Sequence, residues 1–208
     1  EATGHHRLLG ATKDDAAGEA FDKGAQMLGL DYPGGPAIDR LARQGNPDAI
    51  AFPRSYLKKG SLDFSFSGLK TSLLYIVQAM HEQPRADKLA DLAAGYQEAI
   101  VTILVEKAFA AVQASGARAL AVVGGVSANS RLRLLLQERA ASEGLLLSLP
   151  PLSYCTDNAA MIAAAGRQAL CAGSRAPLDL DAHASMVSPL AYAGVRDLIF
   201  REGHDAHS

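Results

Sequence analysis

The sequence predicts an α/β layer fold, and three observations carry that expectation. Residues 119–123 form a short, apolar, β-branched run that ends in Gly124-Gly125 ahead of a helical stretch over 130–141. This reads as a buried strand, a tight turn and a helix. Residues 145–149 repeat the strand and leave through Pro150-Pro151, and the polar loop 153–158 then feeds a second, small-residue helix over 159–170. Two such units joined by a right-handed crossover are the minimum of the fold, with ligands at the strand C-termini.

Composition bounds what this layer can belong to. The 208 residues, 49% hydrophobic and 20% charged, suffice for one good-sized core, or one core and a small appendage. A formal net charge of -2 gives no global basic field, so RNA has to meet a local patch or a partner protein. Cys155 and Cys171 are the only cysteines and lack CxxC spacing, which points to a reducing cytoplasm. No apolar run approaches the ~18 residues of a membrane helix, and the opening residues are unlike a signal peptide. A cytoplasmic chain without a membrane partner is expected.

Taken in order, 7–10 is strand-like, and Thr12 is the expected N-cap of a helix to about Leu28, with Asp15 facing back and Gly29 as the stop. Ala17, Ala20, Phe21, Gly24, Met27 and Leu28 make its apolar stripe, while Asp15, Glu19, Asp22 and Gln26 share the other face. Residues 31–36 must turn, with positive φ open to Gly34 and Gly35 and Pro36 opening a helix over 37–44. Residues 62–68 alternate as a half-buried strand, and Lys70 and Thr71 open the next helix. An alanine-rich helical stretch follows over 84–115, with a possible break at Ala94-Gly95. After 174 no period is clear, and His204 and His207 read as solvent-exposed.

Several polar positions carry two readings each. Ser127 and Asn129 lie at the mouth of the 130–141 helix, where two glycines admit a bound group and unpaired N–H donors suit a nucleotide. An ordinary βα turn has the same local pattern. Asp39 is either an acid favoured by its helix dipole or a carboxylate accepting from both hydroxyls of a ribose. Asp157 caps the last helix on structural logic alone. Arg54, Lys58, Lys59 and Lys70 form a solvated loop or, less readily, a phosphate-binding one.

Five stretches then resemble one family in its own order: 9–23 (LGATKDDAAGEAFDK), 28–36 (LGLDYPGGP), 63–71 (DFSFSGLKT), 124–129 (GGVSAN) and 155–158 (CTDN). They are similar to the TsaD/Gcp family of tRNA-modifying enzymes. The resemblance covers the chain to about Gly173 and implies an actin-like ATPase (ASKHA) fold. On that reading, 1–173 is its C-terminal (second) lobe, with a helical insertion at about 68–116, and 174–208 is a poorly matched tail. The family's first lobe, with its phosphate-binding hairpin, His-x-x-x-His metal motif and Ser-Gly-Gly loop, has no counterpart in these residues. The adjacent His5 and His6 do not replace that motif.

By resemblance, Asp22, Gly35, Asp39 and Asn129 bind the nucleotide part of the substrate, and Asp157 ligates a divalent metal, iron or zinc. No covalent catalytic residue is implied. The implied reaction transfers threonylcarbamoyl from threonylcarbamoyl-AMP to the adenosine 3′ of the tRNA anticodon, and the implied bound nucleotide is ATP or threonylcarbamoyl-AMP. A paralogous actin-like subunit and a small ATPase are the implied partners. One carboxylate makes a weak metal site, so these residues alone are expected to bind metal poorly and to lack turnover. An actin-like sugar or acetate kinase shares the Gly-Gly turn in general form, and a non-catalytic partner-binding scaffold is the third class.

Overall fold

The periodicity in the first third of the chain folds as two short helices, α1 (Ala17–Met27) and α2 (Gly34–Ala42). After them come α3 (Ser67–Ala79), α4 (Ala86–Ser115), β1 (Ala119–Ala121), α5 (Ser130–Glu143), β2 (Leu146–Ser148) and α6 (Ala159–Cys171). This computed structural model describes residues 7–54, 60–80, 86–175, 177, 179 and 181. Two compact units divide the chain: Gly10–Asn158, and Glu1–Leu9 together with Ala159–Ser208. None of the helices among the described residues is long and apolar enough to cross a membrane.

The core of the Gly10–Asn158 unit is helical. Phe21, Ile38, Leu69, Leu73, Leu92, Tyr96, Ile100, Ile103 and Phe109 are buried together, with α4 as the central rod. Tyr96 donates its hydroxyl to the Ala20 carbonyl at 2.9 Å, which satisfies the one polar atom of a buried ring. Burial, helped by the charge of Asp15, pushes its phenol well above the ordinary value.

Strands β1 and β2 pair in parallel, Ala119 with Leu146, Leu120 with Leu147 and Ala121 with Ser148, and α5 connects them. This is the strand, turn, helix and strand order expected. The expected burial of 119–123 is corrected: only the middle residue of each strand is even half-buried, and Val123 and Leu146 are 76% and 70% exposed. Among the described residues the strands have cover on one face, from the helical core, whereas runs apolar at every position suit a sheet covered on both.

Other expectations are corrected locally. Residues 7–10 form no strand. Thr12 does not cap α1, which begins after Ala16 with no side-chain cap. Instead Thr12 bridges Phe64 in parallel, with Lys13 N–H donating to the Phe64 carbonyl at 2.9 Å and Phe64 N–H to Ala11 at 3.0 Å. That single bridge is all that forms of the strand expected over 62–68, because α3 already starts at Ser67.

Helix α2 begins at Gly34, two residues before Pro36, and ends at Ala42. Gly34 and Gly35 are therefore helical and not positive-φ turn residues. Packing dictates glycine at 34, since a Cβ there would lie 2.6 Å from Asp22 Cα and 2.9 Å from the Phe21 carbonyl oxygen. Gly95 does not break α4 either, because it faces the Ile50 carbonyl at a distance only glycine permits. In the other unit, α6 runs over Ala159–Cys171, so that Asn158, and neither Thr156 nor Asp157, directly precedes it. His204 and His207 lie outside the described residues.

Candidate functional site

Of the four residues expected to meet a nucleotide, Asp22 bonds the N-terminus of α2, Asp39 and Asn129 bond the N-terminus of α5, and Gly35 lies in the first turn of α2. Asp22, on α1, accepts from the Gly34 N–H at 2.8 Å and so caps α2 from a neighbouring helix. Gly35 follows, where an added Cβ would meet only Phe21 Cβ at 4.0 Å. Packing among the described residues therefore leaves this position open.

Asp39 lies past the first turn of α2, which corrects its expected placement. Its buried carboxylate accepts from the Ser130 N–H at 3.2 Å and the Ser130 hydroxyl at 2.7 Å, and from Arg43 at 2.9 Å. The dipole it meets is that of α5, not of its own helix. Asn129 is the N-cap of α5, accepting from Leu132 N–H at 2.9 Å while its amide donates to Gln97 Oε1 on α4 at 2.7 Å. Donors expected to stand unpaired at this helix mouth are thus partly engaged by Asn129 and Asp39.

Between β1 and α5, Gly124 has φ 90°, a conformation that favours glycine, and the chain then makes a 3-10 turn over Gly125–Ala128. Among the described residues, nothing beyond the chain neighbours lies within 4 Å of where a Cβ would stand on Gly124 or Gly125. Among the described residues the buried Ser127 hydroxyl has no hydrogen-bond partner. A buried polar atom of this kind in a turn open on its glycine side is a natural place for a polar ligand atom or a water.

Asp157 stands apart. It is exposed, in the loop after a 3-10 turn over Leu152–Tyr154, and among the described residues no hydrogen bond or ion pair joins it to the other four. No three His, Cys, Asp or Glu side chains among those residues group as a metal cage. An exposed carboxylate is a suitable donor for one position of a coordination sphere, and the described residues group no further ligands with it.

With this geometry in view, comparison with known proteins is decisive. The sequence model of TsaD, described as tRNA N6-adenosine threonylcarbamoyltransferase, matches residues 1–164. The chain belongs to the TsaD family. All five motif stretches lie inside the matched span, which stops short of the expected limit at about Gly173. A tRNA N6-adenosine threonylcarbamoyltransferase of Anaeromyxobacter dehalogenans (strain 2CP-1 / ATCC BAA-258) is 59% identical over 86% of this chain and 54% of its own length. Similar proteins of the same name from Syntrophotalea carbinolica and Geobacter sulfurreducens are 47% and 49% identical over 93% of this chain. The chain spans about half the length of the curated relatives it matches.

Two TsaD motifs turn out to be bound to each other. Asp14 accepts from the Phe66 N–H at 2.8 Å and the Ser65 hydroxyl at 2.5 Å, so the first acid run caps α3. Burial raises the Asp14 pKa, but hydrogen bonds from Ser65, Phe66 and Ser67 outweigh it and hold the carboxyl below its ordinary value. Asp15 pairs with Lys23 at 2.7 Å and Lys70 at 2.6 Å, and those two ammonium groups hold it down as well. The less favoured phosphate-binding reading loses Lys70, which is engaged by Asp15, while Lys58 and Lys59 lie outside the described residues.

Sequence reasoning missed Gln97, Ser130 and Arg133. Gln97 had a signal, being a polar residue on the apolar side of α4. The partner of Ser130, Asp39, lies 91 residues away, and Arg133 reaches Pro150 and Cys155 across a strand and a loop, where periodicity says nothing. A groove of about 640 Å³ between α4 and α5, lined among others by Glu98, Glu106, Leu135, Glu138 and Arg139, shares no residue with the five candidate positions.

Proposed function

We propose that these residues are the second lobe of an actin-like tRNA N6-adenosine threonylcarbamoyltransferase, with the 68–116 region as its helical insertion. In this reading Asp22, Gly35, Asp39 and Asn129 hold the nucleotide part of threonylcarbamoyl-AMP, and Asp157 supplies one ligand to a divalent metal, iron or zinc. A single observation carries it: Asp39 and Asn129, far apart in sequence, both accept hydrogen bonds at the N-terminus of α5, while Asp22 accepts at the N-terminus of α2, the helix that carries Asp39. Helix N-termini favour anionic groups, and the open diglycine turn leaves space for one.

The chemistry is acyl transfer. The exocyclic amine of the tRNA adenosine attacks the threonylcarbamoyl carbonyl, the bond to the adenylate phosphate breaks, and AMP leaves with the electron pair while the amine loses a proton. The chain's contribution is position: Asp39 and Asp22 as acceptors for ribose hydroxyls, Asn129 through its remaining amide hydrogen, and glycine at 35 where the sugar passes. Asp157 would hold a divalent metal, which when bound would supply positive charge to an acyl transfer from a phosphate. Partners in this reading are tRNA, a paralogous actin-like subunit and a small ATPase, all in the cytoplasm.

Isothermal titration of the chain with ATP tests the reading. Binding heat is expected, and Asp22→Ala is expected to weaken affinity by about tenfold or more, the scale of a lost hydrogen bond to a charged group. A chain that gives no heat is a scaffold and the reading fails.

A further inference from the structure

Arg133 is oddly placed. It lies in the first turn of α5, where the helix dipole disfavours a cation, yet its side chain is half-buried. Its guanidinium explains the position. Nε donates to the Ser127 carbonyl at 2.7 Å, and Nη2 donates both to the Pro150 carbonyl and, at 3.3 Å, to the buried Sγ of Cys155. Three acceptors from three segments converge on one side chain: the diglycine turn, the exit of β2, and the loop that carries Asp157.

The spacing gives this clamp a meaning. Ser127 lies two residues before Asn129, and Cys155 two residues before Asp157. We infer that Arg133 is a positioning residue that fixes the nucleotide-binding turn in register with the metal-ligating loop, so that occupancy of the first stiffens the second. The inference rests on the proposed roles of Asn129 and Asp157. A planar fork is needed, because donors in one rigid plane reach separate backbones at fixed angles, whereas an ammonium is a single point on a flexible stem. Lysine would keep the charge and lose the register.

Cys155 reports on the loop directly. In a Cys171→Ser background, which removes the exposed thiol, the alkylation rate of Cys155 by iodoacetamide is measured with and without saturating ATP. ATP is expected to slow labelling about fivefold or more, within the usual range of coupling between sites. In Arg133→Gln and Arg133→Lys, ATP heat is expected to persist within about threefold while the nucleotide no longer alters labelling. Arg133→Lys carries the test alone if the Gln variant loses its helical circular dichroism. ATP binding without any effect on Cys155 in the parent chain, or coupling that survives in Arg133→Lys, overturns the inference and leaves the proposed site standing. Absence of ATP heat in the parent chain overturns both.

Discussion

Within the Gly10–Asn158 unit, the helical side and the sheet side treat apolar surface in opposite ways. Along α1, α2 and α4 the apolar stripe of each helix meets another, and Phe21, Ile38, Tyr96 and Ile100 are all but fully buried. Along β1 and β2, runs just as apolar leave most of their side chains in solvent. An amphipathic helix needs one partner face, and the chain supplies it locally. A parallel strand that is apolar throughout needs two, and the described residues supply one. Stability should therefore reside in the helices, and substitutions can test how unequal the two sides are.

The largest loss is expected from Phe21→Ala. Its ring is 2% exposed between α1 and α2, and emptying such a site costs about 3–5 kcal/mol. Urea denaturation of the chain would read this directly, and a loss under 1 kcal/mol would mean that the helical side is not the core. Next is Gly34→Ala, which adds a methyl where Asp22 Cα and Ala25 Cβ leave no room. Overpacking of this kind costs about 1–3 kcal/mol, and it should weaken ATP binding too, because α2 can yield only by moving away from Asp22.

Acid should act at the junction of the first and third motifs. Asp14 and Asp15 are both held below the ordinary aspartate value of 3.8. A depressed carboxyl contributes stability that is present above the unfolded value and lost as pH falls through the folded one. The loss from these two groups should therefore appear below about pH 3.8. Asp14→Ala, which uncaps α3, should cost about 1 kcal/mol at pH 7 and less at a pH low enough to protonate the native carboxyl, which is held below its ordinary value. An equal cost at both pH values would place its role in packing.

Much of this was legible in the letters. The parallel pair, the connecting helix and the stop at Gly29 follow from apolar runs, turn residues and helical spacing, all local signals. Misreadings arose wherever a distant residue took over a local role. Thr12 looks like a cap until Phe64 pairs with it, and Asp39 looks like an acid serving its own helix until Ser130, 91 residues away, takes its carboxylate. The site follows the same rule. The proposed site residues came from likeness to a family, whereas Gln97, which accepts from Asn129, and Arg133, which donates to the Ser127 carbonyl, act through contacts that no spacing rule encodes.

The smallest effect expected is the most discriminating for the comparison. Leu146 is 70% exposed on β2, opposite Ala119. On an open strand Leu146→Ala removes little buried area, so a change within about 0.5 kcal/mol is expected. In a sheet whose second face were covered by another part of a longer protein, the same substitution would behave as a core truncation and cost about 2–5 kcal/mol. Measuring Leu146→Ala in this chain and in a protein of the relatives' full length thus asks whether the apolar strand was selected for a neighbour. Equal and small costs in both would mean that the exposed run has no such partner, and that its letters overstate its burial.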